Sequence, residues 1–164
     1  MAAMHRYCIY NNRGAAAYSQ EVGSTTIGFL CREVLWENDV AYDNVPGCSS
    51  SATQTQACYS YAHRFCDYIG QNGVGIPLEV GSNAVNIACV RTSWLGIVKI
   101  ATLQLLHPGC RDSTVTQNAD CAAAVHRWCS GQNLGLGGLI TEIGARDDVE
   151  VGCISAANMN DVPV

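Results

Sequence analysis

Apolar and polar positions alternate along three short stretches of the chain, and each stretch ends in a cysteine. These stretches cover residues 27–31, 85–89 and 149–153. A period of two is typical of a β-strand with one buried face, and it places the cysteine on that face. The alternation therefore predicts three half-buried strands.

Segments whose apolar residues have the spacing of a helix precede the second and third of these strands. The positions i, i+4, i+7, i+8 and i+11 are apolar from residue 58 onward, and a shorter version of the same stripe begins at residue 121. This spacing predicts amphipathic helices, which should end at the Asn and Gly residues of 72–73 and 133–135. The pattern leaves open whether residues 34–42 and 94–106 form an additional strand or hairpin. The polar stretches 49–56 and 113–118 are predicted loops that cap the following helix.

One motif, His-Arg-aromatic-Cys, occurs three times, at residues 5–8, 63–66 and 126–129. Sixteen residues after each His comes a Glu that precedes Val-Gly or Ile-Gly. This register predicts an α+β fold of three tandem pseudo-repeats, each a short helix joined by a disulfide to a strand. The predicted units are about 1–47, 48–109 and 110–164 of a single domain, 1–164. They could close with pseudo-threefold symmetry or lie in a row.

The chain has ten cysteines and no Cys-x-x-Cys pair, which favours disulfides over clustered metal ligation. Each unit has a motif cysteine and a strand cysteine, and two further pairs sit between the units. The predicted pairs are Cys8–Cys31, Cys66–Cys89, Cys129–Cys153, Cys48–Cys58 and Cys110–Cys121. A scheme that links Cys8 to Cys153 is the alternative.

Charge and hydropathy exclude several classes of partner. The net charge is −5 and Lys99 is the only lysine, so no basic stripe is present to bind nucleic acid. The longest apolar stretch, 94–106, is too short to span a bilayer. No signal peptide is visible before the first motif, so either a leader has been removed or the chain was cut there.

The recurring polar residues are the candidate ligand-binding groups. In each helix the Arg falls on the outer face, where it either pairs with the recurrent Glu or a neighbouring unit, or contacts a ligand. The His is expected to be a hydrogen-bonded structural residue at a helix–loop boundary, with ligand contact as the alternative. The candidate set is His5, Arg6, Glu21, His63, Arg64, Glu79, His126, Arg127 and Glu142.

These residues do not form a recurrent catalytic set. Each unit has one carboxylate and no repeated nucleophile, so we expect a protein that is not an enzyme and that needs no metal or cofactor. Residues 37–44 are rich in carboxylate and amide oxygens, but their spacing is not that of an EF-hand, and an acidic surface loop is favoured over calcium binding there.

Several aromatic residues exceed the needs of such small cores and are predicted to be exposed, where they could stack on sugars or anchor a protein interface. They are Tyr10, Tyr18, Trp36, Tyr59, Tyr61, Tyr68 and Trp94.

The motif, a following Gly-rich turn and a Glu before the closing cysteine strand together resemble a cysteine-rich module of secreted bacterial proteins. The resemblance extends over all three units, and residues 75–79, Gly-Ile-Pro-Leu-Glu, come nearest to the Gly-aromatic-Gly-Pro segment of that module. It implies an extracellular location and no particular activity.

The leading functional hypothesis is a secreted multivalent lectin with up to three equivalent sites, each made of an Arg, a Glu and a neighbouring aromatic. The alternative is a structural subunit of an extracellular assembly or filament. The expected partners are therefore glycans or further copies of the chain.

Overall fold

The structure is a computed structural model that describes residues 2–11, 16–22, 26–32, 34–49, 55–111, 119–155 and 158–163. For residues 2, 16–22, 26–27 and 158–163 this description covers the backbone. The chain divides into two compact units, one of Met1–Tyr18 with Cys31–Arg91 and the other of Ser19–Leu30 with Thr92–Val164.

Within the described residues the chain forms four α-helices and nine strands. The helices are α1 (Ala2–Tyr10), α2 (Gln56–Tyr68), α3 (Ile100–Leu106) and α4 (Ala119–Gly131). The strands are β1 (Ala16–Val22), β2 (Thr26–Arg32), β3 (Trp36–Ala41), β4 (Val74–Val80), β5 (Ala84–Val90), β6 (Trp94–Lys99), β7 (Gly137–Ile143), β8 (Asp148–Ile154) and β9 (Asn158–Pro163). The mixed α+β class is as predicted.

In the first unit, α2 packs on an antiparallel sheet of order β3-β5-β4. Thr55 begins the helix, because its side chain accepts a hydrogen bond from the backbone N–H of Cys58. The helix ends at Tyr68, before the predicted Asn72-Gly73, because Gly70 has a φ of 75° and the N–H of Gln71 donates to the carbonyl of Cys66. The apolar stripe of α2 and the alternating face of β5 share one core.

Strand β4 was not predicted, because the sequence shows no alternation there. Residues 74–78 are all buried, so a continuous apolar run replaces the period of two. Gly75 lies against the helix: a Cβ at this position would be 2.1 Å from the carbonyl oxygen of Ala62. The close approach of α2 to β4 therefore requires glycine at position 75.

The second unit contains a related arrangement of α4 on an antiparallel sheet of order β6-β8-β7. A β-bulge interrupts β7 between Ile140 and Glu142, as one interrupts β4 between Pro77 and Glu79. Residues 94–106, whose structure the pattern left open, form strand β6 followed by helix α3. The helix forms because Ile100 and Leu103 bury one face at helical spacing, while Leu105 is 86 % exposed.

A further sheet has the order β1-β2-β9. Its central strand is β2, whose last residues include Cys31. The predicted cap of α4 over 113–118, and most of the polar stretch 49–56, lie outside the described residues.

All ten cysteines are paired, in the five pairs predicted from the sequence. Three of these disulfides join a helix to a strand: Cys8–Cys31, Cys66–Cys89 and Cys129–Cys153. Because Cys8 pairs with Cys31, the alternative Cys8–Cys153 scheme is wrong. The described helices include none with the length and hydrophobicity that a bilayer crossing requires.

Candidate functional site

A shallow groove with aromatic walls runs along helix α2. Its walls come from Tyr61, Arg64, Phe65 and Tyr68, together with Asn44, and it encloses about 340 Å³. The four helical residues recur at a spacing of three to four, so they share one face of α2. This volume is at the lower end of the range of small-molecule sites, about 300–1,000 Å³.

The groove is held in place by the core beneath it. Phe65 packs against Trp36 with the two rings tilted by 47° and 5.7 Å between their centroids, and both side chains are half-buried against the core. Asn44 closes the other wall from the 3₁₀ turn Tyr42–Asn44, which follows β3. Gly47 lies under Tyr61, since a Cβ there would be 2.3 Å from the tyrosine ring.

Two features determine the chemistry of this groove. Tyr68 is 88 % exposed, so its ring offers an apolar face to the solvent. The guanidinium of Arg64 lies 5.6 Å from the centroid of the Tyr61 ring, in a cation–π arrangement. The groove thus combines aromatic faces, which stack on sugar C–H surfaces, with the N–H donors of Arg64 and the amide of Asn44, which can bond hydroxyl groups.

Arg6 and Glu79 are joined in a bidentate ion pair. Nε of Arg6 donates to Oε1 of Glu79 at 2.9 Å, and Nη2 donates to Oε2 at 3.0 Å. The hydrogen bonds and charge of Arg6 lower the pKa of the Glu79 carboxyl. The structure thus brings together the Arg of the first motif and the Glu that follows the second.

This ion pair borders a second hollow of about 420 Å³, which Asp39 and Asn86 also line. There the side chain of Asn86 donates to Asp39 at 3.3 Å. Because these polar groups are bonded to one another, a ligand would have to break those bonds. The α2 groove, whose Tyr68 ring is exposed, is the better candidate for a binding site.

The three motif histidines lie within helices α1, α2 and α4, rather than at helix–loop boundaries as predicted. Nε2 of His5 is 3.7 Å from Glu37, and Nε2 of His63 is 3.7 Å from Asp67. His5 and His63 are buried because they lie beside the apolar stripe. His126 differs, since its Nδ1–H donates to the carbonyl of Leu136 at 2.6 Å.

The remaining predicted site residues are Arg127, Glu142 and Glu21. Nη1 of Arg127 donates to the carbonyl of Leu106 at 2.9 Å. Glu142 is half-buried in β7, opposite Glu150 of β8. Glu21 belongs to β1, and its side chain is outside the described residues.

Several aromatics predicted as exposed are not. Tyr59 is fully buried, and this burial raises the pKa of its phenol. Trp36 and Trp94 are half-buried; Trp94 packs against Trp128 with 4.9 Å between ring centroids. Tyr10 and Tyr68 are exposed as predicted, whereas the side chain of Tyr18 is outside the described residues.

Asn44 also lines the groove, although no pattern in the sequence connects it with the groove tyrosines. It falls in the oxygen-rich stretch 37–44, most of which is strand β3. In the part of the chain that the structure describes, no three His, Cys, Asp or Glu side chains come together as metal ligands. The spacing of Tyr61, Arg64 and Tyr68 was the available signal, because it marks one helix face.

The chain matches no protein-family model, and it has no significant match among curated proteins or solved structures.

Proposed function

We propose that this protein is an extracellular, non-enzymatic carbohydrate-binding protein whose sugar site is the α2 groove. The observation that supports this most directly is the exposed Tyr68 ring beside Arg64 and Tyr61. An aromatic platform next to planar N–H donors matches both surfaces of a sugar, since the C–H faces stack and the hydroxyls accept hydrogen bonds.

The site is proposed at one of the three predicted positions because the motif helices differ in side chains. In the first motif, Ala3 and Tyr10 stand where the second has Tyr61 and Tyr68. In the third, Ala124 and Gly131 stand there. A pair of tyrosines flanking the Arg therefore occurs in the second motif, which favours that helix for binding.

The test is a glycan array with the oxidised full-length chain, followed by titration of the best ligand against two variants. Tyr68→Ala removes the exposed platform from the groove. Tyr10→Ala is the matched control, because Tyr10 is the last residue of α1, 89 % exposed, and occupies the same motif position as Tyr68.

We expect Tyr68→Ala to weaken binding by about tenfold or more, as for an aromatic residue that dominates an interface, and Tyr10→Ala to leave it unchanged. Equal losses in the two variants would place the site elsewhere. An array without any bound glycan would sink the carbohydrate hypothesis itself. A reduced sample controls for the dependence on the disulfides.

We also propose that the three motif-bearing segments are pseudo-repeats. The two sheets with matched orders, the β-bulges at equivalent positions and the three helix–strand disulfides support this.

Five disulfides in 164 residues also favour an oxidising, extracellular compartment. The second functional hypothesis, a structural subunit, has support from the arrangement of strand β9.

A further inference from the structure

Strand β9 occupies the edge of its sheet in the same way that β3 and β6 do in theirs. In each sheet the central strand is the last strand of a motif segment: β2, β5 or β8. One neighbour of the central strand is the strand immediately before it in the chain. The other neighbour is β9 beside β2, β3 beside β5, and β6 beside β8. Strands β3 and β6 precede their central strands in the sequence, whereas β9 comes long after β2.

The sequence of β9 supports this equivalence. Asn160-Asp161-Val162 occupy the third to fifth positions of β9, and Asn38-Asp39-Val40 occupy the same positions of β3. Three residues separate β8 from β9, and three residues separate β2 from β3. By composition and by connection, β9 is a linking strand of the β3 type.

Strand β9 differs from β3 and β6 in its covalent anchoring. Cys31 and Cys48 flank β3, and Cys89 and Cys110 flank β6. None of the five disulfides has to break when β9 leaves its sheet, whereas β2 stays anchored through Cys31 to α1.

We propose that β9 is an exchangeable strand, and that the edge of β2 accepts the β9 strand of a second copy of this chain. The exchanged strand would make the same backbone hydrogen bonds as the resident one, so association costs little in contacts. Strand addition of this kind derives its affinity from main-chain bonds. The resident strand competes at a millimolar effective concentration, because its connection to β8 is short.

The first test uses the oxidised full-length chain and a fluorescent peptide of residues 156–164, measured by fluorescence polarisation. Two full-length variants, Asn160→Pro and Asp161→Pro, weaken the resident strand to different extents. Adjacent residues of a strand direct their N–H groups to opposite sides, so one of these prolines removes a bond to β2 and the other does not. Each variant is therefore the matched control of the other.

We expect saturable peptide binding that is tighter, on the order of tenfold, in the variant that loses the β2 bond. A scrambled peptide should not bind. Equal affinity of the two variants, or equal binding of the scrambled peptide, would overturn the proposal. Near-UV circular dichroism and a thiol assay show whether each variant keeps its fold and disulfides.

A second measurement needs no substitution in the strand. Two samples of the native chain, labelled at the α-amino group with donor and acceptor dyes, are mixed at millimolar concentration and then diluted. Energy transfer that survives dilution and decays slowly is the expected result, and unlabelled peptide should abolish it on prolonged incubation. Absence of transfer at every concentration would overturn strand exchange whatever the glycan array shows.

Discussion

Arg6 in the first motif helix holds Glu79, the last-but-one residue of β4, through two parallel hydrogen bonds of 2.9 and 3.0 Å. The sequence left open whether each recurrent Arg pairs with the recurrent Glu or a neighbouring unit, or contacts a ligand. For Arg6 the structure shows the pairing, between residues of different segments. The two groups fix α1 against β4 within the first compact unit.

The pair predicts how Glu79 titrates. Because the pKa of Glu79 is lowered in the fold, the stability that its charge contributes is present above the unfolded pKa of about 4.3 and is lost as pH falls through the folded value. Arg6→Gln should raise the pKa of Glu79, as measured by carboxyl ¹³C NMR. High salt should also raise the pKa of Glu79, because the pair lies near the surface and salt screens its charges. A Glu79 titration indifferent to both changes would contradict the pairing.

The contact between α2 and β4 predicts a strong response to one added methyl group. Gly75→Ala would place a Cβ 2.1 Å from the Ala62 carbonyl oxygen, and backbone must move to accommodate it. We expect the free energy of unfolding to fall by about 1–3 kcal/mol in urea titrations. The control is Gly131→Ala at the end of α4, where a Cβ meets nothing within 4 Å and should be neutral or stabilising. Equal stabilities of the two variants would be inconsistent with this close approach.

The disulfides should differ in their contributions according to the loops they close. Cys66–Cys89 closes a loop with a sequence separation of 23, and Cys48–Cys58 one of 10. Loop-closure entropy alone predicts about 3.4 kcal/mol for the first and about 2.7 kcal/mol for the second. Replacing each pair by alanines and comparing unfolding free energies tests this order. A larger loss from the shorter loop would show that packing around Cys48–Cys58 outweighs chain entropy.

Tyr59 should resist ionisation until the fold opens. Burial raises its pKa, so the stability that its neutral phenol contributes is present below the unfolded pKa of about 10 and is lost as pH rises above it. The difference between absorbance titrations of the native chain and of Tyr59→Phe isolates its phenolate. That signal should appear together with the loss of near-UV circular dichroism. Ionisation of Tyr59 in a chain that stays folded would contradict its burial.

Binding should depend on Arg64 more than on Arg127, although both occupy the same motif position. Arg64 lines the aromatic groove, whereas Arg127 donates to the Leu106 carbonyl in the second compact unit. Calorimetry should show that Arg64→Gln weakens glycan binding about tenfold, whereas Arg127→Gln leaves the affinity unchanged within experimental error. If neither variant changes the affinity while both stay folded, the arginines have no part in binding.

Much of this protein follows from the sequence by itself. The threefold motif, the alternation before each closing cysteine and the spacing of the paired cysteines were enough to predict the α+β class and all five disulfides. These features are local or periodic, so they can be recognised before the chain is folded.

Other features depend on contacts between distant residues, and the tertiary structure alone decided them. The first five residues of strand β4 are all buried, so the alternation that marks a half-buried strand is missing. Residues 94–106 are mostly apolar, and only the packing of Ile100 and Leu103 turns their second half into a helix. Asn44 joins Tyr61 and Tyr68 in one groove because β3 and the 3₁₀ turn bring it beside α2. Likewise, a repeated Arg and Glu do not reveal which copies will pair, because the choice depends on how the elements pack.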